Sequence, residues 1–109
     1  MISTHVLDTS RGVPAAGVTV RLFRIESSER ELIATGQTDS DGRIAPLFGG
    51  ELAEGTYELL FSAGEYFRAL ETGTFFDDIA VRFEISSGTH KLHIPLLLAP
   101  FGYSTYKGS

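Results

Sequence analysis

Apolar and polar residues alternate along most of the chain. In residues 17–24, Val18, Val20 and Leu22 fall on one face; in 56–61, Tyr57, Leu59 and Phe61 do; in 80–85, Val81, Phe83 and Ile85 do. A period of two is the mark of a strand with one face buried. Residues 1–7, 31–38 and 92–98 read as three further strands, and 103–107 as a short last one. Gly12-Val13-Pro14, Asp41-Gly42, Phe48-Gly49-Gly50, Glu54-Gly55 and Ser87-Gly88 separate these runs with residues that tolerate positive φ or fix φ.

Short strands at regular spacing, punctuated by turn residues, predict an all-β sandwich or barrel. One stretch departs from the alternation. In residues 64–71, Tyr66, Phe67 and Leu70 recur at helical spacing, which predicts one or two turns of helix packed on the outside of a sheet. No internal repeat or Ser/Pro/Gly-rich linker divides the chain, and 109 residues suggest one domain, residues 1–109.

Composition narrows the function classes. The net charge of -5 argues against nucleic acid or an anionic membrane surface as partner, since both require a basic footprint. A small ligand is compatible with it, because one or two local cations suffice to hold an anion. The absence of cysteine excludes disulfides, thiolate chemistry and Cys-based zinc sites. No apolar run reaches the roughly 18–20 residues that span a bilayer. No leader of the secretory type precedes Thr4, so a cytoplasmic location is expected; a periplasmic one would require a leader already removed.

Three chargeable residues stand out, far apart in sequence. His5 and Leu7 share the strand face opposite Val6, and His93, between Leu92 and Ile94, faces away from the core in the same manner. Each histidine reads by itself as an outward side chain; the functional alternative is a general base, since an imidazole with a pKa near about 6.5 suits proton transfer at neutral pH. Two outward histidines on a face that also carries Leu7 and Leu97 suggest an interface or a ligand groove. Arg43 follows Asp39-Ser40-Asp41-Gly42 and reads first as a turn arginine balancing two aspartates; the alternative is a planar donor fork for a flat polar ligand. Ser109 has no base beside it and no Gly-x-Ser-x-Gly elbow exists, so a triad nucleophile is not expected. His90 reads as surface. The pairs Asp77-Asp78, Asp39-x-Asp41 and Glu51-x-x-Glu54 lack metal-ligand spacing and read as solvated loops.

Three blocks carry a resemblance to a known family: His5-Val6-Leu7-Asp8 with Gly12-x-Pro14-Ala15; Thr38-Asp39-x-Asp41-Gly42-Arg43; and the run from His93-Ile94-Pro95 through Gly102-Tyr103-Ser104-Thr105-Tyr106-Lys107-Gly108-Ser109. Together they resemble the 5-hydroxyisourate hydrolases, the enzyme branch of the transthyretin family. That resemblance implies a transthyretin-like two-sheet sandwich of seven or eight strands with one short helix. It implies hydrolysis of 5-hydroxyisourate, a purine-derived product of urate oxidation, to 2-oxo-4-hydroxy-4-carboxy-5-ureidoimidazoline, without metal or organic cofactor. It assigns the active site to His5, Arg43, His93 and Ser109, with Tyr106 also on the substrate, and leaves open which histidine is the base. It implies a homotetramer with sites between dimers. Position 107 is Lys where the family tail usually has Arg, which keeps the charge and loses the fork. A carrier of the transthyretin type and a non-catalytic β module are the alternative readings of the same fold.

Overall fold

The computed structural model describes residues 1–87 and 89–109, so the Ser87-Gly88 turn lies partly outside the described residues. In chain order the elements are β1 (Ile2–Asp8), β2 (Val13–Pro14), β3 (Thr19–Glu26), β4 (Glu29–Gln37), β5 (Arg43–Phe48), β6 (Gly55–Phe61), α1 (Ala63–Ala69), β7 (Ile79–Ile85), β8 (Leu92–Ala99) and β9 (Gly102–Thr105). They form a two-sheet sandwich with one short helix. One sheet has the order β4-β3-β6-β7; the other has β2-β1-β8-β9, with β5 also paired to β1.

The alternating residues do what the period requires. Val20, Leu22, Tyr57, Leu59 and Phe61 from one sheet, with Val18 just before β3, meet Val6, Leu96 and Leu98 from the other, all at 0% exposure. Burial of this apolar surface is the main favourable term holding the sheets together. The helix buries Phe67 (1% exposed), and Tyr66 on it donates its hydroxyl to Asp8 Oδ2 at 2.8 Å, tying α1 to the end of β1.

Two strands go beyond the sequence expectation, β2 and β5. The first is only two residues and coincides with a predicted turn. The second carries Pro46, a residue that weakens a strand reading because it cannot donate to a ladder. It is tolerated here because the register shifts between the Thr4–Ile44 and Ile2–Phe48 pairs, which leaves Pro46 outside the paired residues of a strand that joins the sheet through β1.

The arrangement that matters for the site is around β1. β8 runs parallel along one side of it, with Ser3 beside His93, His5 beside Pro95 and Leu7 beside Leu97. The other side is shared: β5 runs antiparallel beside Ile2 to His5, and β2 beside Leu7 and Asp8. At the junction Val6 N–H donates to the Gly42 carbonyl at 2.7 Å. Gly42 has φ +75, and a Cβ there would run into the Val6 carbonyl oxygen. Only glycine allows the chain to cross β1 so closely and deliver Arg43 to its start.

Candidate active site

The outward face of β1 carries Ser3, His5 and Leu7; that of β8 carries His93 and Leu97. Arg43, the first residue of β5, is the direct cross-strand partner of His5. Three residues separated by up to 88 positions are thereby gathered on one face, because β1 is the central strand between the other two.

The turn before β5 is built by Asp39. Its Oδ1 accepts the backbone N–H groups of Asp41 at 2.9 Å and Arg43 at 3.0 Å, the pattern by which an aspartate stabilises a turn. The Arg43 N–H bond chiefly, then that of Asp41 and the nearby charges of Arg43 and His5, hold the Asp39 carboxyl below its usual 3.8 against an opposing effect of burial. The Arg43 guanidinium itself forms no ion pair with Asp39 or Asp41. The reading of Arg43 as a turn arginine thus holds in part: its backbone belongs to the turn and its charge acts on Asp39, while its guanidinium makes no direct ion pair there.

The same turn orients His5. The His5 Nε2 lies 2.9 Å from the Asp41 carbonyl oxygen. A carbonyl oxygen only accepts, so Nε2 carries the proton, and in the neutral ring Nδ1 is bare. His93 is held from two sides. Its Nδ1 lies 2.8 Å from Ser3 Oγ. Its carbonyl accepts the Gly108 N–H at 2.7 Å, which folds the chain end back along β8 beyond β9. Burial, and then the positive charge of Arg43, His5 and Lys91, keep the His93 imidazole below its usual 6.5, so it stays neutral to a lower pH than a free histidine.

Ser109 follows Gly108 and so stands one residue from the His93 backbone contact. Tyr106 is 57% exposed and borders a separate cleft of about 270 Å³ between Val81 and Phe83 on one side and Leu92 and Ile94 on the other. None of His5, Arg43 and His93 lines that cleft, so Tyr106 is not gathered with them in the isolated chain. His90 is exposed, as expected. Among the described residues no group of three or more His, Asp or Glu side chains converges as a metal-ligand set.

Two groups at the site went unrecognised in the sequence. Ser3 could have been found, since period two puts it on the His5 face. The Asp41 carbonyl could not, because a backbone acceptor leaves no residue-type signal.

The model of the HIUase/Transthyretin family matches residues 2–108. The chain belongs to that family. Among family members, it is 48% identical to 5-hydroxyisourate hydrolase 2 of Rhizobium meliloti, covering 99% of this chain and 95% of that one. It is 44% identical to the 5-hydroxyisourate hydrolase of Pseudomonas aeruginosa, covering 99% and 90%. The solved structure of Klebsiella pneumoniae 5-hydroxyisourate hydrolase superposes with a TM-score of 0.89 at 39% identity, over 99% of this chain and 98% of the other. Sea bream transthyretin in complex with thyroxine gives a TM-score of 0.92 at 28% identity, over 98% and 93%. The fold is thus shared by a 5-hydroxyisourate hydrolase and a transthyretin seen in complex with thyroxine.

Proposed function

We propose that this chain, acting as one hydrolase domain, hydrolyses 5-hydroxyisourate to 2-oxo-4-hydroxy-4-carboxy-5-ureidoimidazoline. The observation that carries the reading is the cross-strand pair His5 and Arg43 beside His93, in a chain similar over its whole length to 5-hydroxyisourate hydrolases.

The hydrogen bonds support one division of roles. His5, with its proton committed to Asp41, offers a bare Nδ1 to take a proton from water. The oxygen of that water forms a bond to a ring amide carbonyl carbon. Arg43 stabilises the negative charge that develops on the carbonyl oxygen, as preorganised donors do in acyl-transfer intermediates. The ring carbon–nitrogen bond then breaks, protonated His5 returns its proton to the leaving nitrogen, and the new carboxylic acid loses its proton to solvent. Ser109 orients the substrate at the edge of the site, beside His93, and Tyr106 joins it only when a second copy of the chain is near. The half-buried Leu7 and Leu97 beside the histidines support closure of this face by other copies, in a homotetramer.

The test is the ultraviolet decay of 5-hydroxyisourate, generated in situ by urate oxidase, with and without the protein. Acceleration over the spontaneous decay, lost in His93→Ala, is the expected result. A folded tetramer without acceleration would replace the hydrolase by a small-ligand carrier.

A further inference from the structure

Ser3 sits two residues before His5 on β1 and directly beside His93 on β8. It is 5% exposed, and its hydroxyl is 2.8 Å from His93 Nδ1. That ring nitrogen is the one hydrogen-bond partner of the Ser3 side chain among the described residues. A serine hydroxyl carries one proton. A buried donor left without an acceptor costs about 1–3 kcal/mol, so the Ser3 proton is directed at Nδ1. Nδ1 must then be the bare nitrogen, and the single proton of the neutral ring resides on Nε2. On the other edge of the ring the backbone at Gly108 stands so close that a Cβ there would be 2.7 Å from His93 Cδ2, which limits rotation of the ring away from Ser3.

We propose that Ser3 is a positioning residue: its hydroxyl donates to His93 Nδ1 and holds His93 as the Nε2–H tautomer, a hydrogen-bond donor to the substrate and not the base. This rests on the hydrolase reading for its substrate and refines it. The two histidines are then fixed in opposite senses. His5 spends its N–H on the Asp41 carbonyl and presents a lone pair; His93 spends its lone pair on Ser3 and presents an N–H. With Arg43 across the strand, the His93 N–H is a second donor for the carbonyl oxygen that gains negative charge, and it keeps its proton throughout. A tautomer fixed by a neighbouring group is a known determinant of histidine function.

The chain has three histidines, His5, His90 and His93, so labelling histidine with nitrogen-15 gives three ring systems, assigned with His90→Gln and His93→Gln variants. The charged groups facing His93 are Arg43, His5 and Lys91, and all are retained in the Ser3 variants. In the wild type, His93 should show a protonated Nε2 and a bare Nδ1. In Ser3→Ala the neutral ring loses its hydrogen bond, so the tautomer bias should weaken and the His93 titration midpoint should rise. The kcat for 5-hydroxyisourate should fall about tenfold with KM little changed, the effect of one orienting hydrogen bond. Ser3→Thr, which keeps the hydroxyl, should restore all three. A wild-type His93 protonated on Nδ1 would overturn the proposal, as would a Ser3→Ala protein with unchanged ring shifts and kcat. The wild-type spectrum needs neither substrate nor a folded Ser3 variant. It therefore judges Ser3 even if no turnover is found, an outcome that would instead remove the hydrolase reading.

Discussion

Gly108 lies against His93: its N–H donates to the His93 carbonyl at 2.7 Å, and a Cβ on it would stand 2.7 Å from the ring Cδ2 and 3.0 Å from the carbonyl oxygen. The close approach of chain end and imidazole is open only to glycine. Gly108→Ala should push the tail off β8 and take Ser109 with it. Because few contacts beyond that one bond hold the tail, the melting temperature should stay within a degree or two of wild type, while kcat/KM falls by roughly an order of magnitude or more. Equal activity in the two proteins, measured by 5-hydroxyisourate decay, would remove the tail from the site.

Arg43→Lys tests the donor fork. Lysine keeps the charge but presents a point donor on a flexible stem. The loss should appear mainly in kcat, on the order of 10–100-fold, as for removal of an oxyanion donor. A change confined to KM would mean that Arg43 binds substrate and transition state alike.

The His93 imidazole should titrate below 6.5, first because of burial and then because of the charges of Arg43, His5 and Lys91. Arg43→Met should move its midpoint upward, since a repelling cation is gone. The folded pKa lies below the unfolded one, so between the two the unfolded chain binds more protons and stability rises with pH. The contribution of His93 is therefore complete above about pH 6.5, the reference imidazole value, and declines as the pH falls through the folded midpoint. Histidine proton resonances followed against pH in both proteins check the direction.

Asp8 is fully buried and accepts four hydrogen bonds, from the N–H and hydroxyl of Ser10, the N–H of Arg11 and the hydroxyl of Tyr66. Burial by itself raises its pKa, yet the Ser10, Tyr66 and Arg11 bonds together bring it below the usual 3.8. Asp8→Ala strands several of those donors and should cost about 2–4 kcal/mol, measured by urea unfolding. Tyr66→Phe removes one bond and should cost about 1 kcal/mol. The lowered folded pKa means that the Asp8 contribution is present above about pH 4 and is lost as the pH falls below it.

The strands around the core were legible in the chain because burial on one face imposes a period of two, and Val20, Leu59 and Leu96 obey it without regard to what lies opposite. The outward direction of His5 and His93 follows from the same alternation. β5 was not legible. Its six residues, with a proline among them, are not among the expected strands, and they become one because β1 offers them an edge to pair with.

By itself, then, the sequence determined the all-β class, the helix near Tyr66 and Phe67, and, through its resemblance to a family, the identity of the residues to watch. The tertiary structure decided that His5, Arg43 and His93 share one face, that Arg43 forms no direct ion pair with the aspartates beside it, and that Ser3 and Asp41 hold the two imidazoles by opposite nitrogens. The reason is physical. Alternation and turn chemistry act between neighbours and leave a trace in residue type. The pairing of β1 with β5 and β8 is long-range, and a hydrogen bond to a backbone carbonyl or the room for a glycine beside a ring exists only once those strands are in place.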